Sequence, residues 1–178
     1  MSTLNVTNIK AADGTSALTI ANSTGAVTQT VPPSVTTPIL LWARLDNATG
    51  NSLTSADTTI VWNVEMVDTA SAYNNTNGYF TCPRAGYYEV HWHYLHRFDG
   101  YIRTTLRKNN TYIYGSGGAT IVYTNNNDNG DEIMASGTAI VNCAVNDTLS
   151  IYFYNKSGNA DIYGGSNSHN GFTVKFIG

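Results

Sequence analysis

Charged side chains are scarce in this chain. Of its 178 residues, 12% are Asp, Glu, Lys or Arg and 42% are hydrophobic, whereas an average globular domain has about 25% charged residues. The formal net charge is −3, and the basic residues alternate with strand-like segments instead of forming a positive stripe. The composition argues against a nucleic-acid partner, and a surface of Asn, Thr, Ser and Gly favours a permanent assembly over a free enzyme.

Cysteine and long hydrophobic runs are also lacking. Cys82 and Cys143 have no Cys-x-x-Cys or Cys/His spacing, which argues against a zinc finger and a disulfide framework. We expect both to be reduced and at least partly buried in strands, with their pairing left open because distant strands can be neighbours. No run approaches ~20 apolar residues and the N-terminus has no basic or apolar region, so neither a membrane span nor a signal peptide is expected.

What the sequence does contain is the pattern of β-strands. From Ile39 onward, short β-branched and aromatic runs are separated by Asn, Asp and Gly turns at the spacing of a β-sandwich. No helix of useful length is predicted. The predicted strands are residues 58–64, 78–82, 87–95, 101–106, 119–124, 135–144, 148–154, 160–163 and 172–177.

The first 38 residues differ from the rest. Residues 1–30 carry short apolar alternations with turn signals, which indicate two or three short strands. Such strands cannot bury a core alone, so we predict a docking arm, with a frayed terminus as the alternative. Its apolar contacts would come from Leu4, Val6, Ile9, Leu18 and Ile20. Residues 31–38 hold three of the four prolines and are predicted to be a stiff linker to a knob of residues 39–178.

The predicted strand at residues 87–95 has two different faces. Period-2 alternation assigns four large residues to a core, namely Tyr88, Val90, Trp92 and Tyr94. The opposite face consists of Tyr87, Glu89, His91 and His93. Because this second face is aromatic, polar and free of Lys, it favours contact with other chains over solvent.

The order of four blocks resembles a known family. The blocks are Phe-Thr-Cys-Pro-Arg-Ala-Gly-Tyr-Tyr at 80–88, Leu-Arg-Lys-Asn-Asn at 106–110, Ala-Ser-Gly-Thr-Ala-Ile-Val at 135–141 with Asn-Asp at 146–147, and Asn-Ser-His-Asn-Gly-Phe at 167–172. Residues 39–178 thereby resemble the globular head of the first complement component, a branch of the tumour-necrosis-factor-like jelly rolls. Asn110 replaces a usual Gly but can adopt the left-handed conformation, and Asn170 replaces a small Ser.

The resemblance implies an all-β fold, a ten-strand antiparallel jelly-roll sandwich of two sheets that assembles as a homotrimer. It implies that the strand carrying Tyr87, Glu89, His91 and His93 lies in the inner sheet, whose outer face lines the trimer interface. The collagen-like Gly-x-y repeats that precede the head in complement proteins do not occur in this sequence.

The arm has a different likeness. Residues 2–20 are similar to the opening of many bacteriophage fibre and virion-surface proteins. This implies a virion protein assembled in the host bacterial cytoplasm, whose partners are its own copies and a major capsid or other virion protein bound through residues 1–30. Neither nucleic acid nor membrane insertion is expected.

Two groups of residues could bind a cation, and each also has a simpler interpretation. A trimer would bring copies of His91 and His93 towards one axis, and His96 lies further along the same strand. Imidazoles at such an axis could bind Zn²⁺. The alternative is that these side chains stack and form hydrogen bonds within the interface. Residues 125–132 are rich in Asn and Asp and could hold Ca²⁺, but they lack the spacing of an EF-hand loop, and a solvated loop is the more common outcome. We expect no cofactor.

No catalytic motif is present. Gly115-Ser-Gly-Gly118 is neither a nucleophile elbow nor a phosphate loop, so we expect no enzymatic activity. The leading hypothesis is a trimeric capsid-decoration or head-fibre knob. The alternative is a short tail fibre whose knob recognises a host surface glycan. Its possible receptor-facing loop comprises Tyr123, Asn125, Asn127 and Asp128.

Overall fold

The computed structural model describes residues 8–10, 16–20, 27–29, 38–46, 57–97, 99–113, 121–126, 132–157, 160–164 and 169–178. All regular secondary structure within these ranges is β-strand. The chain divides into two compact units, Met1–Thr36 and Thr37–Gly178. No helix long and apolar enough to cross a membrane occurs in the described ranges.

The first unit contains a small antiparallel sheet. Its strands are β1 (Asn8–Lys10), β2 (Ser16–Ile20) and β3 (Val27–Gln29), in the order β1-β2-β3. Ile9 is opposite Leu18, and Ile20 is opposite Val27. Three of the predicted contact residues therefore lie in paired strands, while Leu4 and Val6 lie outside the described residues. That this sheet docks on another protein remains a prediction.

The second unit is a sandwich of two antiparallel sheets. Its strands are β4 (Leu40–Arg44), β5 (Thr58–Thr59), β6 (Val64–Asp68), β7 (Tyr73–Asn74), β8 (Tyr79–Thr81), β9 (Gly86–Arg97), β10 (Gly100–Lys108), β11 (Thr111–Tyr112), β12 (Ile121–Asn126), β13 (Glu132–Cys143), β14 (Thr148–Lys156), β15 (Asp161–Ile162) and β16 (Gly171–Phe176). The six-stranded sheet has the order β13-β9-β16-β4-β6, with β15 beside β9. The seven-stranded sheet has the order β11-β10-β14-β8-β7, with β12 beside β10 and β5 beside β14. The all-β sandwich is confirmed, whereas the count of ten strands is not.

The core between the sheets contains the residues that period-2 alternation predicted. Tyr88, Val90, Trp92 and Tyr94 are fully buried on one face of β9. Trp92 is directly opposite Gly137 of β13, and a Cβ on Gly137 would lie 2.6 Å from both Cε2 and Cη2 of the indole. The indole N–H donates to Thr104 Oγ1 at 2.9 Å. Gly137 therefore provides the space that the largest core side chain occupies.

One strand prediction was wrong. Residues 58–64 were predicted as one strand, but the segment leaves the seven-stranded sheet after β5 and enters the six-stranded sheet at β6. Ile60 and Trp62 are fully buried as the chain crosses. The backbone N–H of Trp62 donates to the Tyr73 hydroxyl at 3.0 Å, and that hydroxyl donates to the backbone carbonyl of Trp62 at 3.1 Å. The Tyr73 side chain thus makes the hydrogen bonds with the Trp62 backbone that a neighbouring strand would otherwise make. Burial of this hydroxyl raises the pKa of Tyr73.

The two cysteines are free and buried, as expected. Cys143 ends β13, but Cys82 lies just after β8 and not in a strand. Interaction with the neighbouring Cys143 thiol raises the pKa of Cys82, and burial adds to the rise.

Asparagine residues stabilise the turn between β10 and β11 and the turn between β13 and β14. Asn109 and Asn110 have φ values of 51° and 58°, which confirms that Asn110 adopts the left-handed conformation. The Asp147 carboxylate accepts hydrogen bonds from Asn109 Nδ2 at 2.7 Å and from the Ala144 N–H at 2.8 Å, and it lies 3.2 Å from Lys108 Nζ. The hydrogen bond from Asn109 is the main reason that the pKa of Asp147 is lowered.

Asn170 joins two segments that are distant in sequence. Its amide accepts from the Leu45 N–H at 2.6 Å and donates to the Leu45 carbonyl at 3.2 Å and the Tyr163 carbonyl at 3.0 Å. The side chain is 1% exposed. A Ser at this position could not make all three bonds, which gives the departure noted in the sequence a structural role.

Candidate assembly surface on the six-stranded sheet

Strand register places the predicted interface residues on one surface. Directly opposite residues of antiparallel strands share a face, so His91 lies in a row with Thr138 on one side and Thr173 on the other. Thr173 is in turn opposite Trp42 of β4. We call the side of this sheet that points away from the core the outward face.

His91 and His93 are adjacent on the outward face. His91 Nδ1 lies 2.9 Å from Thr138 Oγ1, within hydrogen-bond distance. The two imidazole rings are 5.7 Å apart between centroids and inclined by 32°. His91 is therefore held by its cross-strand partner, and the pair forms one polar cluster near the middle of the sheet.

The position of His93 depends on a glycine. Gly171 of β16 is directly opposite His93, and a Cβ on Gly171 would lie 2.7 Å from His93 Cε1. The absence of a side chain lets the imidazole lie close against β16. The Gly-Phe pair at residues 171–172 is visible in the sequence, but nothing in the sequence indicates that the glycine makes room for His93.

Large apolar side chains are exposed around this cluster. Trp42 is 38% exposed, Ile140 is 51% exposed and Tyr87 is 52% exposed. Ile140 is opposite Glu89, and Glu89 is opposite Lys175, so charges of both signs also lie on this face. Exposed apolar groups beside few charges are typical of an assembly surface. Sequence reasoning identified Tyr87 and Glu89 but missed Trp42 and Ile140, although alternation along β13 predicts that Ile140 faces outward.

The histidines do not form a metal site within one chain. Among the described residues, no group of three or more His, Cys, Asp or Glu side chains could hold a metal ion. The suggestion that His96 joins His91 and His93 is wrong, because His96 is fully buried and its Nδ1 lies 3.0 Å from Thr124 Oγ1 of the other sheet. Metal binding by His91 and His93 would need further copies of the chain and remains a prediction.

The possible receptor-facing loop is described only in part. Tyr123 and Asn125 are exposed on β12 of the seven-stranded sheet. Asn127 and Asp128, with most of the possible calcium loop, lie outside the described residues. The calcium and glycan hypotheses for this loop therefore remain predictions.

Comparison with known proteins identifies the family. A family model described as the C1q domain matches residues 45–174. The chain belongs to the C1q domain family. The match covers β5–β15 and most of β16, and therefore includes the strands that carry both histidines. No curated protein matches the chain at a significant level.

Solved structures share the fold of this C1q domain. The globular domain of zebrafish complement 1qA protein has a TM-score of 0.60 and 17% identity, covering 79% of this chain and 98% of that one. Eiger TNF from S. frugiperda has a TM-score of 0.59 and 13% identity, covering 79% and 93%. Murine APRIL has a TM-score of 0.54 and 11% identity, covering 79% and 99%. At these identities the likeness shows the fold, which is the jelly roll of the C1q and TNF-like proteins.

C1q and TNF-like domains typically self-assemble as trimers. They are generally binding or structural modules without enzymatic activity. Association between copies is therefore typical of the domain family to which this chain belongs.

Proposed function

We propose that this chain forms a homotrimer through the outward face and that the trimer is a structural knob on a bacteriophage virion. The observation that carries the proposal is the exposed apolar surface of Trp42, Tyr87 and Ile140 around the His91–His93 pair. Large apolar side chains contribute most of the energy at interfaces, and fully burying one is worth about 1.5–3 kcal/mol. Association would bury all three in every copy.

Arrangement of the polar groups supports the same surface. His91 already has a partner in Thr138. A polar group that is paired within its own chain costs less to bury than an unpaired one. Glu89 and Lys175 are directly opposite one another on neighbouring strands, so two charges of opposite sign are neighbours on the outward face.

The virion role is supported by the sequence of the arm. Residues 2–20 are similar to the openings of phage fibre and virion-surface proteins, and β1 and β2 lie in this region. Three strands of three to five residues are too short to form a hydrophobic core of their own, which favours a partner. We propose that residues 1–30 bind a capsid or other virion protein and that the knob projects from the particle.

Assembly is tested by one pair of variants. Ile140→Asp places a charge in the outward face, whereas Val145→Asp makes the same change at a site of similar exposure, 53%, in the β13–β14 turn. Light scattering after size-exclusion chromatography should give three times the 19.2 kDa chain mass for wild type and Val145→Asp, and one chain mass for Ile140→Asp. A trimeric Ile140→Asp variant would place the interface elsewhere.

Docking is tested by deleting residues 1–30. The truncated protein should remain trimeric but fail to sediment with phage particles, and hundreds of copies per particle are expected for a decoration protein. Sedimentation equal to wild type would remove the docking role. A few dozen copies or fewer would favour the second candidate, a glycan-binding tail-fibre knob, which is supported by the tyrosine-rich surface of the other sheet.

A further inference from the structure

Positive charge is concentrated on the seven-stranded sheet. Its strands, as described, contain Arg103, Arg107, Lys108 and Lys156 and no Asp or Glu. The strands of the six-stranded sheet, by contrast, contain five acidic residues: Glu65, Asp68, Glu89, Glu132 and Asp161. A chain with a net charge of −3 therefore has one sheet that is cationic.

The two arginines are not neutralised by carboxylates. Lys108 lies 3.2 Å from Asp147, and Lys156 donates to the Ala160 carbonyl at 3.1 Å. Arg107 donates one hydrogen bond, to Asn110 Oδ1 at 3.0 Å, and has no carboxylate partner within the described residues. Arg103 has neither a hydrogen-bond nor an ion-pair partner in the same part of the chain. Both guanidinium groups thus keep donors for an anion from outside.

Each guanidinium lies over two tyrosine rings. Arg103 Cζ is 5.4 Å from the ring centroid of Tyr101 and 5.3 Å from that of Tyr123. Arg107 Cζ is 4.3 Å and 3.3 Å from the ring centroids of its two tyrosines, Tyr112 and Tyr152. Stacking uses the faces of a guanidinium group and leaves its N–H groups available in the plane.

These side chains lie across the sheet instead of projecting from it. Thr105 and Ser150 point the same way as the arginines, and each is only 1% exposed. The rings also contact one another, since Tyr112 lies 5.5 Å from Tyr154 and 6.4 Å from Tyr152 between centroids. The surface is therefore a preformed layer, and a ligand would not have to order it on binding.

We propose that this layer binds a carboxylate-bearing glycan. We call it the tyrosine–arginine face, and it comprises Tyr101, Arg103, Arg107, Tyr112, Tyr123, Tyr152 and Tyr154. The planar guanidinium matches a carboxylate with two parallel hydrogen bonds. Exposed aromatic rings pack against the C–H faces of sugar rings, and Tyr123 and Tyr154 are 51% and 38% exposed. The inference rests on the second proposed function, glycan binding, and not on trimer formation or docking.

Other anionic partners suit this face less well. Nucleic-acid binding draws on many phosphate contacts, whereas this face offers two unpaired cations on a chain of net charge −3. Arg103 and Arg107 are four residues apart on β10, which corresponds to about 13 Å along a strand. Two charges at this spacing, separated by aromatic surface, match a short acidic oligosaccharide.

Binding is measured by calorimetry on the full-length protein. The probes are sialyllactose and a trigalacturonate, each compared with a neutral counterpart, lactose and the methyl-esterified trigalacturonate. At least one acidic probe should bind, and its neutral counterpart should bind about tenfold more weakly or not at all, as expected for loss of a charge-assisted hydrogen bond. Failure of both acidic probes, or equal binding of the neutral counterparts, would overturn the proposal.

Variants assign the binding to this face. The double variant Arg103→Gln with Arg107→Gln should weaken binding at least about tenfold. Arg103→Lys should lose part of the affinity, because it keeps the positive charge but lacks the two parallel N–H donors of the guanidinium. Arg84→Gln removes one positive charge outside the face and should bind as wild type. Unchanged binding by the double variant would place the site elsewhere, and equal binding of a sulfated carrageenan oligosaccharide, which has no carboxylate, would refute the carboxylate assignment. Each variant is also checked for trimer mass, so loss of assembly is distinguished from loss of glycan binding.

Discussion

Replacing Gly137 by Ala should damage the core at its largest side chain. Gly137 of β13 is directly opposite Trp92 of β9, which is fully buried. A methyl group at residue 137 would lie 2.6 Å from two indole carbons and closer still to Cζ2. Real Cβ atoms almost never come within 3.0 Å of another heavy atom, so the indole must move.

The magnitude follows from two costs and one gain. Overpacking a dense core costs about 1–3 kcal/mol. Displacement of the indole also lengthens the 2.9 Å hydrogen bond from its N–H to Thr104 Oγ1, and a buried donor without a partner costs about 1–3 kcal/mol. Reduced backbone entropy in the unfolded chain returns about 0.4–1 kcal/mol. Overpacking and the lost bond outweigh this gain, so we expect Gly137→Ala to lower the free energy of unfolding by about 2–4 kcal/mol.

The assay is urea unfolding at a fixed protein concentration, because assembly adds to apparent stability. A second variant, Trp92→Phe, and the combination of both changes complete a double-mutant cycle. The smaller Phe ring should relieve the clash, so the combined loss should be smaller than the sum of the single losses by about 1 kcal/mol or more. A Gly137→Ala variant within ~0.5 kcal/mol of wild type, or strict additivity in the cycle, would refute this account of the core.

Four further perturbations test other parts of the structure. Asn170→Ala removes three hydrogen bonds from a buried side chain to the backbone and should cost about 2–4 kcal/mol in urea unfolding. Asp147 has a folded-state pKa below its ordinary value of 3.8, so its stabilising effect is present above that value and is lost as the pH falls through the folded pKa. Melting temperature should therefore drop more steeply below about pH 4 in wild type than in Asp147→Asn. Tyr73→Phe should cost about 1–3 kcal/mol at neutral pH. Because burial raises the pKa of Tyr73, wild type should also lose stability above about pH 10 to a greater extent than this variant. Gly171→Ala should displace His93 and weaken trimer formation in sedimentation velocity.

Each of these expectations has an outcome that contradicts it. Asn170→Ala or Tyr73→Phe with the unfolding midpoint of wild type would mean that water replaces their bonds without cost. Parallel acid profiles for wild type and Asp147→Asn would remove the proposed role of the turn carboxylate. A Gly171→Ala protein that assembles at wild-type concentrations would show that the His93 position is not needed for contact between copies.

Sequence alone predicted the parts of the fold that depend on local periodicity. The alternation of Tyr88, Val90, Trp92 and Tyr94 fixes which side of β9 enters the core, because side chains along a strand change sides at every residue. The left-handed Asn110 was predictable for a similar local reason.

Features that depend on distant partners were not predictable in this way. The break between β5 and β6 arises because the Tyr73 hydroxyl pairs the backbone of Trp62, and nothing near residue 62 indicates that partner. The tyrosine–arginine face is assembled by β10, β11, β12 and β14, whose arginines and tyrosines are dispersed along the sequence. His96 follows the same strand as His93 but is bonded to Thr124 of the other sheet, which only the packing of the two sheets determines.

Burial of the outward face between copies is tested most directly by acrylamide quenching of tryptophan fluorescence. All three tryptophans are described; Trp62 and Trp92 are fully buried within one chain, whereas Trp42 is 38% exposed on the outward face. If the face is buried in this way, quenching should be weak in wild type and clearly stronger in the monomeric Ile140→Asp variant, with Val145→Asp behaving as wild type. Equal, strong quenching of wild type and Ile140→Asp would show that Trp42 stays in solvent and that the outward face is not an interface between copies.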